Sequence, residues 1–188
     1  MKIDVKVPDG KSNNWTVETF TVTDEDISIH NIRAMFQPGS RTMRAGTYKK
    51  LSYNGSVIMS NTPAEISDHV SFIYRAKEGG NILINGLGLG VALQAIVDSE
   101  KIENIDVVEI SKDVINLVAP TFKKYKKVVI HNCDAFEFKP TKGKRFNAVW
   151  HDIWPNICGD NLPEMTKLHR KYGRKTKWQG SWCKELCK

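Results

Sequence analysis

The chain has 188 residues, 40% apolar and 26% charged, which suits one ordinary globular domain with a small appendage. No apolar run is long enough to cross a bilayer, and Met1-Lys2-Ile3-Asp4-Val5 lacks the apolar stretch of a secretion signal, so a cytoplasmic setting without a membrane partner is the expectation. The net charge of +7 is uneven: residues 1–110 hold 11 Lys/Arg against 14 Asp/Glu, and residues 111–188 hold 17 against 7, a basic half that suits an anionic partner such as nucleic acid or a merely solvated surface.

Residues 1–60 read as a β-rich segment. The first five residues alternate like a strand, and Trp15–Val22 carries strand formers throughout. Gln37–Gly46 is loop-like and is placed to cover a site. Tyr48–Ser60 predicts a hairpin turning at Asn54-Gly55, with Leu51 opposite Ile58 and Tyr53 opposite Ser56. Pro63–Ala76 predicts one helix, capped by Thr62 with Glu65 three residues on.

Residues 61–160 form the core of the expected fold. From Ile82 the pattern is β-α-β-α-β: strands at 82–85, 105–110, 128–131 and 146–151, helices at 89–99 and 111–124, with Pro120 kinking or ending the second. Short apolar strands alternating with helices predict an α/β fold, a Rossmann-like parallel sheet with helices on both faces. Residues 161–188 form a basic helix, Asn161–Tyr172, capped by Asn161 and ended by Gly173, and a Trp/Cys tail without convincing period. The sheet therefore ends at its fourth strand, and its open edge calls for the N-terminal strands or a second copy of the chain, making a homo-oligomer the expectation.

Asn85-Gly86-Leu87-Gly88-Leu89-Gly90 sits where a strand gives way to a helix. Glycines there let backbone N–H groups approach a ligand. Val91 stands where the dinucleotide fingerprint wants glycine or alanine, which favours a nucleoside without a pyrophosphate. Glu109, 19 residues after Gly90, ends the next strand, where a carboxylate accepts both ribose hydroxyls, and Ile110 follows it. After the third strand, Asp134 is placed to accept from an adenine amino group, with Ile110 and Ala135 flanking the ring, or to cap a short turn. The fourth strand runs into Trp150-His151-Asp152-Ile153-Trp154. Asp152 is the favoured base, since His151 alternates to the other face, and Trp150 and Trp154 are candidate walls, unless both are core. Glu65, Asp68 and His69 make a candidate substrate-binding cluster or an exposed helix face. Cys133, Cys158, Cys183 and Cys187 lack paired short spacing, so neither a disulfide framework nor a metal site is expected.

Residues from about 47 to 155 resemble class I S-adenosylmethionine-dependent methyltransferases, and more closely their spermidine synthase (aminopropyltransferase) branch. A hairpin, a helix and then the glycine strand follow that branch's order, and Ile84 stands where many methyltransferases carry an acid. The resemblance implies that Gly86, Gly88 and Gly90 line the methionine and ribose part of the cofactor, that Glu109 binds the ribose, that Asp134 and Ala135 meet the adenine, and that Asp152 is the first acid of the catalytic loop. The chain departs from that pattern in having fewer strands than the full seven and in carrying Ile153-Trp154-Pro155 where a second acid belongs. The expectation is a small methyltransferase acting on an N or O acceptor, either a small molecule or a nucleic acid. The alternatives are aminopropyl transfer from decarboxylated S-adenosylmethionine and a non-catalytic nucleic-acid- or protein-binding module.

Overall fold

A computed structural model describes residues 2–27 and 44–187. The N-terminal part is an antiparallel sheet of β1 (Gly10–Ser12), β2 (Trp15–Val22), β3 (Gly46–Tyr53) and β4 (Ser56–Ser60), in that spatial order. The β3–β4 turn is the predicted one, with Asn54 at φ +49° and Gly55 at +81°. Tyr53 faces Ser56, as expected. Leu51 faces Met59 instead of Ile58, because a bulge between Leu51 and Ser52 shifts the register. The extra residue is what the pairing rule for a simple hairpin leaves out. Before β1, Ile3, Val5 and Val7 are buried in alternation but pair with no strand among the described residues, and Asn61 Nδ2 donates to the Ile3 carbonyl at 3.2 Å. Most of the expected 37–46 loop lies outside the described residues.

The single helix expected over 63–76 is two, α1 (Pro63–Asp68) and α2 (Val70–Ala76), broken at His69. The Thr62 side chain caps neither, and Glu65 takes the Ser60 N–H, so the anticipated reciprocal cap is not formed.

The main sheet contains β5 (Gly80–Asn85), β6 (Ile102–Glu109), β7 (Val128–Asn132), β8 (Phe146–His151) and β9 (Thr176–Ser181), all parallel, in the order β7-β6-β5-β8-β9. The connecting helices are α3 (Val91–Ile96), α4 (Lys112–Val118) and α5 (Asn161–Tyr172). This is a mixed α/β, Rossmann-like arrangement. The sheet does not stop at four strands: β9 emerges from the tail that shows no period in sequence. Its burial does not alternate: Lys177 is exposed, Ser181 is buried and the other four residues are intermediate. The N-terminal strands form their own sheet and cover neither β7 nor β9.

Period-two alternation divides the core. Ile82, Ile84, Ile105, Val107 and Trp150 pack with residues of α1 to α4 on one face. Leu83, Val108 and Val149 pack with Met165, Leu168 and Tyr172 of α5 on the other. Ser111 caps α4 by accepting from the Val114 N–H, and Pro120 lies in the 3-10 turn that ends it. Asp160, not Asn161, precedes α5, and the helix ends at Gly173 as expected, with that glycine in the right-handed region at φ −52°. Ser12 Oγ and Asn13 Nδ2 both donate to Asp113 Oδ1 on α4, at 2.6 and 2.8 Å, and bind the small sheet to the large one.

Candidate functional site

The chain order reverses at β5, which has β6 on one side and β8 on the other. Open α/β sheets bind ligands beyond the carboxyl ends of strands at such a point. A cavity of about 480 Å³ opens there, within the roughly 300–1,000 Å³ of small-molecule sites.

Gly86 and Gly88 border the cavity beyond β5. Gly86, at φ +99°, lies so near the end of β8 that a Cβ would sit 1.9 Å from the Asp152 carbonyl oxygen. Gly88 lies under Met59 of β4, whose Sδ accepts the Leu89 N–H at 3.3 Å. Gly90 faces Phe122 and Val118 and does not border the cavity. Asn85 is also absent from the wall. Its Nδ2 meets His151 Nδ1 at 2.8 Å on the α5 side of the sheet.

Glu109 is buried, not a surface residue at a strand end. Its Oε2 accepts the Leu87 N–H at 2.9 Å and its Oε1 the Ser111 N–H at 2.8 Å. These bonds fix the carboxylate beside the glycine loop, and each oxygen retains a second lone pair for a ligand. Ile110 is 69% exposed at the rim, an apolar surface on which a base can lie. Asp134 and Ala135 form the wall beyond β7, where Asp134 Oδ1 also takes the Phe136 N–H at 2.7 Å, the turn-capping role the sequence allowed. Lys171 of α5 donates to the Ala135 and Phe136 carbonyls at 3.0 and 2.6 Å and steadies this wall from behind.

Asp152 borders the cavity, whereas His151 is buried against His169 and Tyr172. Burial pushes the Asp152 carboxyl up to about 7, and the neighbouring charges of Glu65 and Asp68 push the same way. Trp154 lines the cavity and donates its Nε1–H to Glu164 at 2.8 Å. Glu65 lines it too. Asp68 and His69 do not. Asp68 accepts from Trp182 Nε1 at 3.2 Å and borders a separate groove, and His69 is wholly buried behind Asp152. Among the described residues, no three His, Cys, Asp or Glu gather as a metal group.

Several wall residues were not legible in the sequence. Trp15, Tyr53, Ile58 and Met59 of the small sheet, and Trp182 after β9, close the cavity from above. Trp15 and Tyr53 stack obliquely, their rings 4.9 Å apart. Their strand patterns predict β-structure but not which surface that sheet docks on.

No family model and no curated protein sequence matches the chain. Among solved structures it is similar to the N-methyltransferase NodS from Bradyrhizobium japonicum WM9 (TM-score 0.48, 13% identity, 61% of this chain and 63% of that one). It is also similar to the CcbJ methyltransferase from Streptomyces caelestis (TM-score 0.48, 15% identity, 61% and 46%) and to the 23S rRNA methyltransferase ErmE (TM-score 0.45, 13% identity, 59% and 45%). The chain spans about half the length of these structures.

Proposed function

We propose that the protein binds S-adenosylmethionine in this cavity and transfers its methyl group to an N or O acceptor, with an amine nitrogen favoured. The observation that carries this reading is the convergence of Gly88, Glu109 and Asp152 on one cavity, with the Glu109 carboxylate held against the glycine loop by two backbone N–H groups. The residues fit such a cofactor: a fixed carboxylate for the ribose hydroxyls, Ile110, Asp134 and Ala135 for the adenine, and a glycine edge without side chains. The sulfonium, when bound, supplies an electrophilic methyl group. Glu109 orients the ribose. Trp15, Tyr53 and Trp154 exclude water and offer faces to a cationic acceptor. Asp152, about half protonated near neutral pH, ionises beside a cationic ligand and then takes a proton from the acceptor.

One observation favours aminopropyl transfer as a second reading. The described lining residues include Glu65, Glu109, Asp134 and Asp152 and no Lys, Arg or His. A cofactor carrying a carboxylate meets no cation among these described residues, and against them decarboxylated S-adenosylmethionine has the better electrostatic match. Calorimetry with S-adenosylmethionine, its decarboxylated form and S-adenosylhomocysteine separates the readings. Tighter binding of the decarboxylated form supports the second. No binding of any of them at millimolar concentration removes both.

A further inference from the structure

The His69 ring has no contact with solvent, and neither of its nitrogens has a hydrogen-bond partner among the described residues. Buried polar groups are nearly always paired. A buried ring with two orphaned nitrogens therefore marks a place where a partner arrives or moves. Asp152 is close at hand: His69 Nε2 lies 3.9 Å from its Oδ2, about 1 Å beyond a normal hydrogen bond. His69 stands at the break between α1 and α2, at φ −92° and ψ −4°. Trp150 holds it edge-on, with ring centres 5.8 Å apart and planes at 73°. His69 does not border the cavity, but Asp152 does.

We propose that His69 is a positioning residue: its neutral ring donates an Nε2–H to Asp152 whenever that carboxylate is ionised, and so aims the base at the acceptor. This rests on Asp152 being the proton acceptor of the proposed reaction. The other charged groups acting on Asp152 are Glu65 and Asp68 from α1 and Glu109 from β6, all acids that oppose its ionisation. A neutral donor on its buried side opposes them. Burial lowers the His69 ring to about 4, so it stays uncharged across the working range and is suited to donate a hydrogen bond without donating its proton. In the transfer step the acceptor's N–H proton goes to Asp152, the new N–C bond forms, the S–C bond breaks with its electron pair left on sulfur, and His69 keeps its own proton throughout.

The test uses the full chain labelled with ¹⁵N-histidine, with the ring nitrogens followed by NMR from pH 5 to 9 and the His69 signals assigned by loss in His69→Gln. The expected result is a His69 ring that stays neutral while its Nε2 signal moves with a midpoint near the Asp152 value. In Asp152→Asn that movement disappears, and in wild type S-adenosylmethionine lowers the midpoint by at least one pH unit. A flat Nε2 signal in wild type, or a transition that persists in Asp152→Asn, overturns the proposal. A transition present but unmoved by S-adenosylmethionine sustains the His69–Asp152 pair and sinks the cofactor reading instead. In a second measurement, the pH midpoint of S-adenosylmethionine binding stays within half a unit of wild type in His69→Gln, which keeps a donor, and rises in His69→Leu. Equal midpoints in the two variants count against a positioning role.

Discussion

The carbonyl oxygen of Asp152 lies 1.9 Å from where a Cβ on Gly86 would be. The bare backbone of Gly86 therefore lets the end of β8 close against the end of β5, and Asp152 reaches the cavity through that gap. The Asp152 N–H donates to the Asn85 carbonyl at 2.8 Å and completes the junction.

Gly86→Ala sets a side-chain carbon against backbone that cannot turn aside, at a φ of +99° that L-residues avoid. It is expected to cost more than about 4 kcal/mol in denaturant unfolding, or to yield insoluble chain. Gly143→Ala is the control. It has a similar φ of +83° with nothing within 4 Å of the added carbon, and backbone strain alone should cost about 1–3 kcal/mol. Equal losses in the two variants would refute the packing role of Gly86.

Removing the Glu109 carboxylate takes the acceptors from two ribose hydroxyls. Hydrogen bonds to charged groups contribute about 1.5–3 kcal/mol each, so Glu109→Ala is expected to weaken S-adenosylmethionine binding at least about a hundredfold by calorimetry. The Leu87 and Ser111 N–H groups also lose their acceptor, so thermal stability falls in parallel. Wild-type affinity in a folded Glu109→Ala protein would be incompatible with the assigned ribose site.

The Asp152 carboxyl is raised from 3.8 to about 7 by burial and by Glu65 and Asp68. The folded chain thus holds a proton there that the unfolded chain releases. The contribution of this group to stability is fully present below pH 3.8 and is lost as pH rises through 7. Asp152→Asn never ionises, so its stability relative to wild type should climb between pH 4 and 8 in paired urea titrations. His69 and His151 are common to both proteins and largely cancel in that difference. A difference independent of pH would contradict the raised value.

Lys171 crosses from α5 to the wall that carries Asp134 and Ala135. Lys171→Met keeps most of the stem and removes both hydrogen bonds. A stability loss of about 1–2 kcal/mol is expected, with faster amide exchange at Ala135 and Phe136 and weaker binding of S-adenosylhomocysteine. Unchanged exchange there would show that the wall stands without the lysine.

Much of this architecture is legible along the chain. Phe146–His151 and Asn161–Tyr172 have the boundaries their patterns predict, because each carries a full apolar period and abrupt ends. Gly86, Glu109, Asp134 and Asp152 were candidates because each stands at the end of a strand or just past it, and parallel strands deliver their carboxyl ends to one edge. The break at His69 was not legible, since residues 63–76 keep helical spacing on both sides of it. The bulge that turns Met59 toward Leu51 leaves no mark in the alternation of β4.

Local chemistry alone determined the order of β5 to β8 with the helices between them, the Asn54-Gly55 turn and the alternation that sends successive strand residues to opposite faces, because these depend on side-chain period and backbone preference within a few residues. Tertiary contact alone decided that Thr176–Ser181 becomes a fifth strand, that the small sheet roofs the cavity with Trp15 and Tyr53, and that the His69 ring comes to rest beside Asp152. Those outcomes depend on surfaces meeting across 30 residues of chain, as Phe146 meets Thr176, to 101, as Ser12 meets Asp113, and no short-range pattern records which surfaces meet.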